Sequence, residues 1–234
     1  MTTERPAAAG AEAPSNDHLA RALRGFGPVG LLAAVLILAG NLLFVPLSAL
    51  LVLAWAWRSH TPWRALGFVR PASWGRTLLL GVIFGSALKL VMKALVMPLL
   101  GAPPLNPSYQ YLAGNAAAVL PFAFYLVILG AGFGEETVFR GYLFERLGKL
   151  LGETLGARIA MVVLTATVFG LAHVPTQGLT GAEQAAVVGL VFGTIFAQTG
   201  SLAPLMVAHA AFDLTAVALI YWRLESALAH AVFK

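Results

Sequence analysis

Long apolar segments separated by short polar stretches dominate the pattern along this chain. They cover residues 27–57, 77–99, 116–151, 157–173, 185–198 and 202–222. A bilayer core of about 30 Å needs roughly 20 helical residues to cross it, and open strands leave backbone groups unsatisfied in lipid. The pattern therefore predicts an all-α, polytopic transmembrane helix bundle with six to eight membrane helices.

The first apolar segment, residues 27–57, permits two interpretations. It is long enough for one tilted helix, or for two short helices broken near Asn41 and Pro46. Arginines flank the segment on both sides, and basic residues are typical of cytoplasmic loops. Two cytoplasmic flanks would require a hairpin, yet about 30 residues is short for two full crossings. The sequence leaves both interpretations open.

Composition supports the membrane assignment, because 59% of the 234 residues are hydrophobic and only 11% are charged. The net charge of +5 comes mainly from basic residues between apolar segments, so it indicates topology rather than nucleic-acid binding. Arg146, Lys149 and Arg158 predict a cytoplasmic loop near residue 154. The absence of cysteine excludes disulfides and thiolate metal sites. We expect a multi-pass protein of the cell (inner) membrane.

Two regions follow from the distribution of apolar residues. Residues 1–18 are rich in Ala, Pro and polar residues and contain no long apolar run, which predicts a disordered N-terminal tail. Residues 19–234 contain neither a repeat nor a soluble domain. They are therefore expected to form a single membrane domain.

Acidic residues are absent between His18 and Gly134, and then Glu135 and Glu136 occur side by side in an apolar segment. Ionisable groups within a membrane are costly and usually mark a functional site, although a structural ion pair is the simpler alternative. Residues four apart share a helix face, so Glu136 is expected to pair with Arg140. Since a guanidinium makes its partner carboxylate a poor proton acceptor, we predict Glu135 as the base and Glu136 as its support.

His173 is predicted to lie beside Glu135. If the two apolar helices that carry them turn near residue 154, the two side chains lie at equal depth on antiparallel neighbours. A single histidine in an apolar helix is otherwise more typical of an interhelical hydrogen bond. His209 and Asp213 are four apart in the last apolar segment, so they project to one side. The alternative for this pair is a local hydrogen bond that only stiffens the helix.

The motifs EETVFR, FGLAH and HAAFD, which together span residues 135–213, resemble the three motifs of the CPBP intramembrane proteases. This family is also called the CAAX protease and bacteriocin-processing (Abi) family and includes the type II CAAX prenyl endopeptidases. The resemblance implies an intramembrane endopeptidase in which Glu135 activates water and His173 shares the proton work. It further implies that His209 and Asp213 stabilise the oxyanion, while Glu136 and Arg140 shape the site.

The last motif departs from the prenyl endopeptidases, which commonly have Asn where this chain has Asp213. An ionised Asp cannot donate a hydrogen bond to an oxyanion, so Asp213 must be protonated, orient His209 or bind a metal. No cofactor is certain from the sequence. Glu135, His173, His209 and Asp213 together would be an acceptable zinc set, whereas a glutamate–histidine mechanism needs no ion. We favour hydrolysis without a metal.

Lys89 and Lys93 lie four apart in the apolar segment 77–99. Their simplest interpretation is snorkelling to an interface. The alternative hypothesis is that they line the cavity and attract a substrate's C-terminal carboxylate or a lipid headgroup.

The sequence therefore predicts an intramembrane protease domain over residues 19–234, which cuts near the C-terminus of a membrane-associated protein or peptide. The substrate could be a prenylated CAAX tail, a bacteriocin leader or a C-terminal sorting signal. Chains of Glu, His and Asp also form proton relays, so a proton-coupled transporter is an alternative, although no internal repeat is visible. A non-catalytic, bacteriocin-immunity-type membrane protein is another, but it would not need intact motifs.

Overall fold

The computed structural model describes residues 17–43 and 45–233, and their regular elements are all helical. The helices are α1 (His18–Arg24), α2 (Pro28–Leu43), α3 (Val45–Ser59), α4 (Trp74–Leu99), α5 (Ala116–Leu151), α6 (Leu155–Thr199), α7 (Ala203–Tyr221) and α8 (Glu225–Ala229). Short 3₁₀ turns, Trp63–Leu66 and Pro107–Leu112, lie in the connectors before α4 and α5. The prediction of an all-α membrane bundle is confirmed.

The first apolar segment forms two helices rather than one. The Ser48 hydroxyl of α3 donates a hydrogen bond of 2.6 Å to the Ile37 carbonyl of α2. Arg24, just before α2, donates from Nη1 to the carbonyl of Ser59 at the end of α3, at 3.0 Å. These contacts pair a near residue with a near one and a distant residue with a distant one on either side of the α2–α3 turn, so the two helices form a hairpin whose basic flanks lie at the same end of the molecule.

Helix α6 is also a hairpin. Its backbone leaves helical geometry at Gly178 (φ 66°, ψ −168°), a conformation that glycine tolerates because it has no Cβ. The two arms then pack antiparallel through small residues, since a Cβ added at Gly189 would lie 2.9 Å from the Cα of Ala166. The arms correspond to the two separate helices predicted at residues 157–173 and 185–198.

The number of membrane crossings follows from the length and apolarity of the helices. Among the described residues, four helices are long and apolar enough to cross a membrane, and a fifth crossing results if α1 and the bent α2 count as one broken span. The predicted number of six to eight stays unconfirmed. The difference arises because α2 and α3 are each shorter than the roughly 20 residues of a full crossing, and because the α6 hairpin counts as one helix.

One end of the bundle, here called the arginine-rich end, carries the α3–α4 connector and the α5–α6 turn. Arg146 at the end of α5 donates to the Arg24 carbonyl at 2.6 Å, and the Leu202 amide donates to the Gly67 carbonyl at 2.9 Å. The first bond joins the end of α5 to α1, and the second joins the α3–α4 connector to the α6–α7 turn. The basic residues of this end are Arg21, Arg24, Arg58, Arg64, Arg70, Arg76, Arg146, Lys149 and Arg158.

The opposite end, here called the connector end, carries the α4–α5 connector (residues 100–115), the Gly178 turn of α6 and helix α8. The Gly114 amide donates to the Tyr221 carbonyl at 3.0 Å, which joins the connector to the end of α7. The Ser108 hydroxyl donates to the Thr176 carbonyl at 3.1 Å, which joins it to the α6 turn. The connector is therefore fixed across this end of the bundle.

Helix α7 lies between α4 and α5, and two glycines allow the close approach. A Cβ at Gly85 of α4 would overlap the backbone carbonyl of Ala208. A Cβ at Gly132 of α5 would lie 3.0 Å from the carbonyl oxygen of Met206 and 3.1 Å from the Cβ of Ala210. Because these contacts flank the predicted site residue His209, they set its distance from α5.

The predicted disordered tail, residues 1–18, falls almost wholly on residues 1–16, which lie outside the described residues. Its last two residues have defined positions: Asp17 caps α1 by accepting a hydrogen bond from the Ala20 amide, and His18 begins that helix. The helical domain therefore includes these two residues.

Candidate active site

Helix α5 carries the two glutamates in a segment of wide, π-type turns, Ala123–Tyr142. At the end of this segment the Leu143 amide donates to the Val138 carbonyl, five residues earlier. Single π-type turns within α-helices are frequent at functional sites, and this segment is longer than such a turn. The two adjacent glutamates meet different surroundings.

Glu136 faces the protein interior. Its Oε1 accepts a hydrogen bond of 2.8 Å from Arg140 Nη1, which confirms the predicted pair, and both side chains are buried. The Arg140 guanidinium lies over the rings of Phe169 and Phe192, 4.6 and 5.6 Å from their centroids. The pair is therefore enclosed by aromatic side chains from both arms of α6.

The same oxygen of Glu136 also holds His209. The distance from His209 Nδ1 to Glu136 Oε1 is 2.6 Å. Because a carboxylate only accepts, Nδ1 carries the proton and Nε2 is directed away from Glu136. Glu136 is thus the residue that orients the imidazole of α7.

Glu135 faces the opposite way, between two histidine rings. Its Oε1 lies 3.9 Å from His173 Nε2, and its Oε2 lies 3.7 Å from His209 Nε2. These distances exceed a direct hydrogen bond, but one water molecule placed to the side can contact a carboxylate oxygen and a ring nitrogen together. The α5–α6 turn between Leu151 and Leu155 confirms the turn predicted near residue 154.

His173 has its own orienting contact. Its Nδ1 lies 2.8 Å from the Phe169 carbonyl oxygen, one helical turn earlier. A carbonyl can only accept, so Nδ1 is the protonated nitrogen and the Nε2 lone pair is directed towards Glu135. Both histidines therefore present the same nitrogen to Glu135, which suits proton transfer.

Asp213 lies one turn beyond His209, with its Oδ2 3.9 Å from His209 Nε2 and its side chain about 30% exposed. This distance is too long for a hydrogen bond. Since Glu136 already holds the ring through Nδ1, the structure gives the orienting role to Glu136 and leaves Asp213 directed into the cavity.

A cavity of about 500 Å³ connects these groups. Four of the sequence-predicted residues line it, one each from α5 and α6 and two from α7: Glu135, His173, His209 and Asp213. The remaining predicted pair, Glu136 and Arg140, lies behind its wall. The structure therefore brings the first four side chains together, on three helices that the chain reaches in succession.

Lys89 and Lys93 also line this cavity rather than an interface, and each is only 7% exposed. Lys93 Nζ pairs with Glu225 Oε1 at 3.2 Å. Lys89 Nζ instead donates to the neutral amide oxygen of Gln184 at 3.0 Å and lies over the Phe212 ring. Of the two lysines, Lys89 has the less compensated charge.

Sequence reasoning missed Glu225, which is 5% exposed at the start of α8. Besides Lys93, it accepts hydrogen bonds from the Asn106 amide at 3.3 Å and from Gln110 Nε2 at 2.7 Å. Glu225 therefore fixes the connector at the wall of the cavity. In the sequence, Glu225 is a single carboxylate just past the last apolar segment. No local pattern indicates that its partner is Lys93, 132 residues away.

Tyr109 was also missed. It lines the cavity from the connector and packs edge-on against Phe122, with ring centroids 5.5 Å apart. No hydrogen-bond partner of its hydroxyl is found among the described residues. Burial first, and then the carboxylates of Asp213 and Glu135, raise the pKa of Tyr109 above its usual range, so the hydroxyl keeps its proton and can donate.

The same residues are also the candidate metal ligands. In the described part of the chain, the His, Asp and Glu side chains form no group of three or more that could hold a metal ion. Each histidine nevertheless has its Nδ1 engaged by a protein oxygen and its Nε2 towards Glu135, which is also how a metal-binding histidine is held. The zinc alternative therefore stays a prediction.

Part of the chain is similar to a known protein family. Residues 117–215 match the family model described as Rce1-like, Type II CAAX prenyl endopeptidase Rce1-like. No curated protein and no solved structure matches the chain. The matched segment includes all three motifs, whereas Lys89, Lys93, Tyr109 and Glu225 lie outside it.

Proposed function

Residues 117–215 of this chain form a domain of the CAAX-type intramembrane protease family, and on that premise we propose an intramembrane endopeptidase that uses water activated by Glu135. It hydrolyses a peptide bond near the C-terminus of a membrane-associated protein or peptide. The observation that supports this most is the position of Glu135, whose two carboxylate oxygens lie within 4 Å of His173 Nε2 and His209 Nε2.

Glu135 acts as the general base. A water molecule beside its carboxylate transfers a proton to Glu135 while the water oxygen adds to the carbonyl carbon of the substrate. The C–N bond then breaks, and the same proton passes to the leaving amine. His173, with its Nε2 lone pair towards Glu135, shares this proton transfer.

The oxyanion needs hydrogen-bond donors. His209 already donates its Nδ1–H to Glu136, so its Nε2 can donate only when both ring nitrogens are protonated. Glu136 and Asp213 then supply the opposite charge. An ionised Asp213 cannot donate. Tyr109 lies in the same cavity and its hydroxyl keeps its proton, so it is the neutral hydrogen-bond donor to the oxyanion.

Lys89 provides a binding site for a carboxylate. Its ammonium lies in the cavity, and no described carboxylate oxygen lies within ion-pair distance of its Nζ. A substrate's C-terminal carboxylate would supply the missing charge, which fits cleavage near a C-terminus. Lys93 contributes less, because Glu225 already compensates it.

The test compares the C-termini of membrane proteins in cells that express the parent, Glu135→Gln or His173→Ala. We expect processing in the parent and its loss in both variants. Glu183→Gln is the matched control, because Glu183 is an exposed carboxylate near the same end of the molecule and does not line the cavity. Unchanged processing in Glu135→Gln and His173→Ala would contradict the proposed function.

A further inference from the structure

The two ends of the bundle differ in charge. The arginine-rich end carries nine basic residues on and around the α3–α4 connector and the α5–α6 turn, which are named above. At the connector end, Arg223 is the one exposed Arg or Lys among the described residues, because Lys89 and Lys93 are buried in the cavity. The terminal Lys234 lies outside the described residues.

This difference fixes the orientation in the membrane. Lys and Arg accumulate in cytoplasmic loops near the ends of membrane helices, and anionic lipids of the cytoplasmic leaflet attract them. The arginine-rich end is therefore cytoplasmic, and the connector end faces the opposite side.

The cavity belongs to the connector end. Its lining includes residues of the connector, of the α6 turn and Glu225 of α8, and no residue of the α3–α4 connector or of the α5–α6 turn. His173 lies five residues before Gly178, or roughly 7 Å from the turn at 1.5 Å per residue. Glu135 lies near the middle of α5, so the cavity extends from the connector end to about half the depth of the bundle.

We infer that the cavity opens on the extracytoplasmic side of the membrane and that its substrate is a peptide segment presented there. This rests on the proposed function. It favours a C-terminal sorting signal or an exported peptide over a tail that remains in the cytoplasm. A substrate from the extracytoplasmic side reaches Glu135 without crossing the arginine-rich end.

The chain contains no cysteine, so single cysteines can be labelled without background. Ala227→Cys marks the connector end and Gly156→Cys marks the arginine-rich end, and both positions are exposed. A Cβ at Gly156 meets no atom within 4 Å, so the substitution is tolerated sterically. The probe is a membrane-impermeant, charged maleimide applied to intact spheroplasts that express the full chain.

We expect Ala227→Cys to be labelled at least tenfold faster than Gly156→Cys, with equal labelling after lysis. Faster labelling of Gly156→Cys would overturn the orientation, whatever the enzyme activity.

A charged, quenched peptide with a free C-terminus is then added outside the spheroplasts. Cleavage by the parent but not by Glu135→Gln supports the extracytoplasmic substrate, whereas cleavage only after lysis contradicts it. Equal cleavage by Glu135→Gln and the parent would contradict the proposed function and would leave the labelling result unaffected.

Discussion

Glu135 and Glu136 are neighbours in sequence, but their surroundings differ in almost every respect. Glu136 is fully buried, and one of its oxygens accepts from both Arg140 and His209. Glu135 lines an open cavity and has two imidazoles near it at distances that leave room for water. The comparison shows how one helix can place one carboxylate in a fixed, buried position and the adjacent one at a cavity.

The difference has a physical cause. A buried carboxylate that a guanidinium and an imidazole hold through one oxygen is fixed in place and shielded from water, so it serves to position other groups. A carboxylate beside a water-accessible space remains available as a base. Glu136 therefore sets the geometry of His209, and Glu135 is the carboxylate that the cavity leaves accessible.

The largest expected effect is on stability. Arg140→Met leaves the buried Glu136 carboxylate without its cation, which should lower the free energy of unfolding by about 3 to 5 kcal/mol. Glu135→Gln keeps the packing and should change stability far less, although it abolishes turnover. Thermal unfolding in detergent measures both variants. Equal loss of stability in the two would show that the glutamates do not differ as described.

The next effect concerns the oxyanion. Tyr109→Phe keeps the ring against Phe122 and removes the hydroxyl, so kcat should fall about 100-fold, as for other oxyanion donors, with little change in KM. Tyr111→Phe is the matched control, because Tyr111 packs on the same ring but is more than half exposed. If both variants retain the parent kcat, Tyr109 is not a donor.

A smaller effect is expected for the lysines. Lys89→Met should raise KM roughly tenfold for a peptide with a free C-terminal carboxylate, which corresponds to one charged hydrogen bond. The same peptide with an amidated C-terminus should show no difference between Lys89→Met and the parent. Lys93→Met should mainly lower stability, because it leaves Glu225 without its ion pair. Equal KM values for Lys89→Met and the parent would show that Lys89 does not bind the substrate's carboxylate.

The smallest effect is expected for an exposed ion pair. The Arg58 hydrogen bond holds the pKa of Asp17 well below its usual range. Its contribution to stability is therefore present above the ordinary carboxyl pKa and is lost as the pH falls through the lowered value. Because solvent screens the pair, Asp17→Asn should shift the Tm at pH 7 only slightly, and the difference from the parent should vanish in acid. A shift as large as that of Arg140→Met would contradict this ranking.

Much of the candidate site could be predicted from local spacing. The Glu136–Arg140 pair depends on one helix, and the meeting of Glu135 with His173 depends only on the position of one turn. The orientation of His209 could not be predicted, because its partner Glu136 lies 73 residues away. The place of Asp213 was left open for the same reason: the sequence does not show which carboxylate reaches the ring.

The sequence by itself determined a helical membrane protein and the different helix faces of Glu135 and Glu136, because apolar length and helix periodicity act over a few turns. Tertiary structure decided that residues 27–57 form a hairpin, that Lys93 is neutralised by Glu225 while Lys89 is not, and that Tyr109 lines the same cavity as Glu135. These features depend on contacts between distant segments. Such contacts depend on how closely the helices pack, for example at Gly85 and Gly132. Local sequence patterns do not predict that packing.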